Sequence, residues 1–175
     1  MARIVLRKVI ADVSREQKNI FNEKFMHVFD LADYDYDVWE QIYKDIQNGK
    51  CKDASYFKDY DADMKFVENA IGRDPYEYSW GRSEVSEMKR KYENVKQNYL
   101  SVVDTFNSFK IGDKQDDAIE KLIRALKNQK RDLYDEYTKE QILKQIEDFK
   151  GHVVIDGPSD LNIFFKDGKV VKKEF

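Results

Sequence analysis

One cysteine, two prolines, seven glycines and two histidines occur in 175 residues. A lone Cys51 excludes an intrachain disulfide and points to a reducing compartment. Its neighbours Lys50 and Lys52 raise the question of a reactive thiol, but an incidental thiol after a turn is the simpler reading. His27 and His152 fall in none of the spacings that build a zinc site. No apolar run approaches the ~18 residues of a membrane span. The first ten residues are apolar but broken by Arg3, Arg7 and Lys8, unlike a signal peptide, so a cytoplasmic chain is expected. No Gly-rich phosphate loop, dinucleotide fingerprint or Ser nucleophile elbow occurs, and no cofactor is expected. A net charge of −3, from 34 acids and 31 bases, excludes a strongly basic nucleic-acid binder and an acidic tail protein.

Against these absences stand 41% apolar and 14% aromatic residues, enough for a real core despite 37% charge. Phe, Tyr, Met, Ile, Asn and Lys total 71, while Gly, Ala, Arg and Pro total 25, the signature of AT-rich codons. Low-GC bacteria and their phages fit that bias. The length suits a single domain, 1–175, of the α+β class and mainly helical. Its parts would be a strand with short helices (1–80), a helical hairpin (83–137), and a short helix with a β-hairpin (138–175).

Residues 2–13 alternate like a strand. Ser14 and Gln17 have capping-box spacing for a helix to about Phe29, with Phe21, Phe25, Val28 and Phe29 as its apolar stripe. A second helix fits Tyr36 to Gln47, stopped by Asn48-Gly49; a third fits Tyr60 to Ile71, with Gly72 just past its end. Val85, Met88, Tyr92, Val95, Tyr99, Val102, Phe106 and Phe109 follow a 3,4 heptad rhythm. They predict one long helix that, after Ile111-Gly112, turns back as an antiparallel hairpin over 83–137. Asp113 and Thr138 read as caps, and Ile142, Leu143, Ile146 and Phe149 as the stripe of a last helix closed by Gly151. Asp167-Gly168 is a strong hairpin turn. The expected small antiparallel sheet joins the N-terminal strand to this C-terminal β-hairpin.

Charge is uneven. Residues 30–79 carry 13 acids and six bases. Two Asp-x-Asp-x-Asp runs, Asp33/Asp35/Asp37 and Asp59/Asp61/Asp63, lack the Gly and Glu of a calcium loop and read as helix N-terminal acids. Interleaved with them are Tyr34, Tyr36, Trp39, Tyr56, Tyr60, Tyr78 and Trp80. Acids among aromatics suit a surface that docks on a basic protein, because Tyr and Trp dominate binding hot spots. The opposing candidate is a basic stripe on the long helix, Arg82, Lys89, Arg90, Lys91 and Lys96, which could track phosphates. Glutamates interleave it and aromatics do not.

The expected function is a non-catalytic interaction module: a regulator, inhibitor or immunity-type protein, phage-encoded in one version. The alternatives are a nucleic-acid-binding accessory protein using the basic stripe, and a virion or scaffold component that self-associates into a homo-oligomer through the heptad helix. An enzyme built on carboxylates or Cys51 ranks last.

Overall fold

The computed structural model describes residues 14–74, 78, 80–128, 139–155 and 159–175, with side chains 125–128 left aside. The order is α1 (Arg15–Ala32), α2 (Tyr36–Gln47), a 3-10 turn (Ala54–Phe57), α3 (Lys58–Arg73), α4 (Arg82–Ser108), α5 (Gln115–Asn128), α6 (Lys139–Asp148), β1 (His152–Ile155), β2 (Leu161–Lys166) and β3 (Lys169–Glu174). This is an α+β fold, mainly helical. Among the described residues, no helix is long and apolar enough to cross a membrane. The residues gather into two compact units. One holds the described residues through Gln41 together with Ala54–Tyr99; the other holds Ile42–Asp53 and Leu100–Phe175.

In the first unit, α1 begins at the expected capping box: the Ser14 side chain accepts from the Gln17 N–H, and the Gln17 side chain accepts from the Ser14 N–H. Its buried face is Phe21, Phe25, Val28, Leu31 and Ala32, packed on Met64, Val67, Ala70 and Ile71 of α3. Burial of each large side chain stabilises the unit by about 1.5–3 kcal/mol. Rings extend this face into a ladder. Phe25 stacks between neighbours Phe21 and Phe29, Tyr78 lies on Phe21 at 4.0 Å, and Trp80 lies on Phe25 at 4.5 Å.

α3 runs through Gly72 to Arg73, so Gly72 is helical rather than a C-terminal stop. A methyl group there would meet nothing within 4 Å. Gly72→Ala is therefore expected to raise stability by about 0.5–1 kcal/mol, because alanine loses less backbone entropy in a helix. A lowered thermal midpoint would contradict this.

α4 is the long helix expected, 27 residues. Its heptad stripe is buried through Val85, Met88, Tyr92, Val95 and Tyr99, then passes from the expected Val102 to Val103 before Phe106 and Phe109. A straight helix has 3.6 residues per turn and drifts off a strict heptad, so a core-packed helix must shift its stripe. The expected coiled-coil rhythm is core packing.

In the second unit, the helical hairpin expected over 83–137 needs correction. Its second arm is α5, ending at Asn128; residues 129–137 lie outside the described residues. α5 packs chiefly on α6 and β3. The connector is not a free loop. Gly112 N–H donates to the Val170 carbonyl, Val170 N–H to Asp113, and Gln115 N–H to Gly168, which ties the connector to the edge of β3. Asp113 holds this turn rather than capping α5: its carboxylate accepts from the Lys110 N–H and from Lys121. The Lys121 hydrogen bond, with that of Lys110, holds this carboxyl below the usual range.

The sheet also differs from expectation. Among the described residues it has three antiparallel strands in the order β1-β2-β3, all C-terminal. The expected N-terminal strand, 2–13, and the Thr138 cap lie outside the described residues. The Asp167-Gly168 turn has φ of 53° and 73°, the left-handed pair of a tight hairpin. Val153, Ile155, Leu161, Ile163, Phe165 and Val170 face inward. On α6 only Ile142 and Ile146 are buried, while Phe149 is exposed. Lys121 and Lys173 donate to the last carbonyls of α4, those of Ser108 and Phe106, and so close that helix.

Candidate functional site

The thirteen residues of the expected acidic and aromatic surface belong to the first unit, where they separate into three groups. The first is the corner between α1 and α2. Asp33 closes α1, and Tyr34 follows at φ 55°, a left-handed conformation rare for a bulky side chain. Asp35 caps α2, its carboxylate accepting from the N–H groups of Asp37 (3.1 Å) and Val38 (3.2 Å). Tyr34 is 48% exposed and Tyr36 66%, between exposed Asp33, Asp35 and Asp37. The Tyr36 ring leans on half-buried Trp39 at 5.7 Å. Asn98 donates to the Tyr34 hydroxyl and steadies it. Asp30 lies beneath. Burial first, then the Asp35 charge, push its carboxyl up against a pull from His27, with a smaller push from Asp33.

The second group is the start of α3, and here the acids are spent internally. Asp61 accepts from the Tyr92 hydroxyl and from Lys96 at 3.0 Å. Asp63 takes Lys24 and His27, each at 2.8 Å. Tyr60 stacks on the His27 ring at 4.2 Å, and Tyr56 packs edge-on against Phe57. Asp59 is exposed. His27, itself exposed, thus reaches across to α3. The third group, Tyr78 and Trp80, is half-buried on the ring ladder.

The same pairs consume much of the basic stripe. Lys96 meets Asp61, Lys89 meets Glu68 at 2.9 Å, and Arg90 meets Glu87 at 2.6 Å. Arg82 reaches the Gly72 carbonyl at 3.5 Å. Lys91 is exposed. A polar groove of about 710 Å³ between α3 and α4 is lined by these Lys89–Glu68 and Lys96–Asp61 pairs. Four of its charges, Lys89, Glu68, Lys96 and Asp61, already pair with one another.

A smaller groove, about 360 Å³, was not legible from the sequence. Phe25, Phe29, Trp80 and Met88 floor it, and Asp33, Glu84, Glu87 and Lys91 rim it. Glu84 folds back over Gly81 at the start of α4. The one available signal was the i, i+4, i+8 spacing of Phe21, Phe25 and Phe29, more aromatic width than α3 alone covers. Asp33 belongs to both groove and corner, so the two form one surface.

In the second unit, burial, with Asp45 and Asp53 nearby, pushes the Cys51 thiol up to about 11, so the thiol form dominates near neutral pH. Among the described residues no group of three His, Cys, Asp or Glu side chains could hold a metal ion. Comparison with protein-family models, curated proteins and solved structures finds no match to this chain.

The Asp63 pairs make a pH prediction. Burial pushes this carboxyl up, but hydrogen bonds from Lys24 and His27 outweigh it and hold the group below the usual range. A depressed folded value adds stability that is fully present above the unfolded value, about 3.9, and is lost as pH falls through the folded one. The gap in urea midpoint between wild type and Asp63→Asn should be open at pH 6 and should narrow as pH falls below the unfolded value and through the folded one. A gap unchanged at low pH would refute the assignment.

Proposed function

We propose that this chain is a non-catalytic protein-interaction module, a regulator, inhibitor or immunity-type protein acting in a reducing, cytoplasmic setting. It docks the Asp33–Trp39 corner on a basic surface of a partner protein and occludes that surface. The observation that carries the reading is the exposure of Tyr34 and Tyr36 between three aspartates at one helix corner. Large rings at an exposed turn add little to folding, but they are the side chains that dominate binding interfaces. Tyr34 adds support. It occupies a left-handed position that glycine would fill at lower cost, and backbone strain of this kind concentrates at binding sites. The pairing of Lys89, Arg90 and Lys96 with carboxylates disfavours the phosphate-tracking alternative.

The test is capture of a partner from nuclease-treated native lysate with wild type and with Tyr36→Ala. Tyr36 is too exposed for its loss to unfold α2. The reading expects one basic protein whose affinity falls about 30-fold in the variant, equivalent to a hot spot of about 2 kcal/mol. Equal capture by both proteins would overturn it.

A further inference from the structure

We propose that the groove beside Trp80 receives the guanidinium of an arginine on the partner protein. This rests on the docking reading above and names the chemistry of its anchor. The floor is aromatic: buried Phe25 backs one face of Trp80 at 4.5 Å and within 9° of parallel, and half-buried Trp80 lines the groove. Indole is the best aromatic partner for a cation, and a planar guanidinium stacks on it where an ammonium cannot. The rim supplies charge of the complementary sign. Asp33 and Glu84 stand on it with no cation paired to either among the described residues, whereas Glu87 is already held by Arg90. Asp33 also places the groove next to the corner, so one partner surface reaches both. The volume lies at the small end of the about 300–1,000 Å³ usual for ligand pockets, which suits one side chain. Lys91, on the same rim, opposes a cation, and this gives the proposal a signature of its own.

The probe is N-acetyl-arginine amide, titrated into the full chain while the indole N–H resonances are followed by NMR, with Trp39→Phe assigning the Trp80 signal. The Trp80 resonance should shift saturably with the arginine probe and not with the neutral citrulline analogue. Glu84→Gln should weaken binding, and Lys91→Gln should tighten it about two- to fivefold, the size of one exposed charge interaction. Both residues are exposed, so neither variant threatens the fold. No saturable shift, an equal response to citrulline, or weaker binding by Lys91→Gln would overturn the proposal. The probe needs no partner. Its failure therefore removes the arginine groove alone, and failure of the docking reading appears separately as Tyr36→Ala capturing the partner unchanged.

Discussion

Gly151→Ala is expected to destabilise the second unit by about 3–4 kcal/mol. Gly151 sits at φ 92°, outside the range an L side chain adopts without strain. A Cβ there would lie 2.4 Å from the Phe165 carbonyl oxygen, an overlap with backbone rather than with a side-chain tip that could swing away. Neither strand can yield cheaply. Gly151 N–H donates to the Ile146 carbonyl at 2.6 Å and its own carbonyl accepts from Phe165 N–H at 2.7 Å, so the residue joins the end of α6 to the sheet. Gly112→Ala is the control. It shares φ 92° but has nothing within 4 Å, so only the left-handed penalty of about 1–2 kcal/mol should appear. Urea midpoints of the two variants that coincide would contradict the steric argument.

The parts of this fold that sequence revealed are those set by near neighbours. The Ser14–Gln17 box, α2 to the residue, the Asp167-Gly168 turn and the stripe of α1 follow from capping, periodicity and turn chemistry within a few positions. What stayed hidden is non-local. Asp61 meets Tyr92 and Lys96, and Asp63 meets Lys24 and His27, across more than thirty residues of chain. Nothing in an Asp-x-Asp-x-Asp run tells which acid turns inward. The two candidate surfaces, one acidic and one basic, therefore looked independent in sequence and partly neutralise each other in space. The tie between the α4–α5 connector and β3 is equally hidden, because the paired residues lie more than fifty positions apart. At the candidate site the sequence singled out Tyr34, Tyr36 and Trp80. It could not separate the exposed corner rings from Tyr78 and Trp80, which lean on Phe21 and Phe25.

Reversing charge at the corner should have the largest effect on association. Asp33→Lys with Asp37→Lys changes the local charge by four, while Asp35 is left to cap α2. Steering by complementary fields raises association rates by about 10- to 1,000-fold at low salt and fades as ions screen it. The double variant should keep its helical circular dichroism, since a lysine in the first turn of α2 costs only about 0.3–1 kcal/mol against the helix dipole. The decisive measurement is the association rate constant with the captured partner, wild type against double variant, across a series of ionic strengths. The account predicts a rate at least about tenfold lower at low salt and a flattened salt dependence, with dissociation changed less. An unchanged rate with an unchanged salt dependence would contradict the claim that this corner is the docking surface.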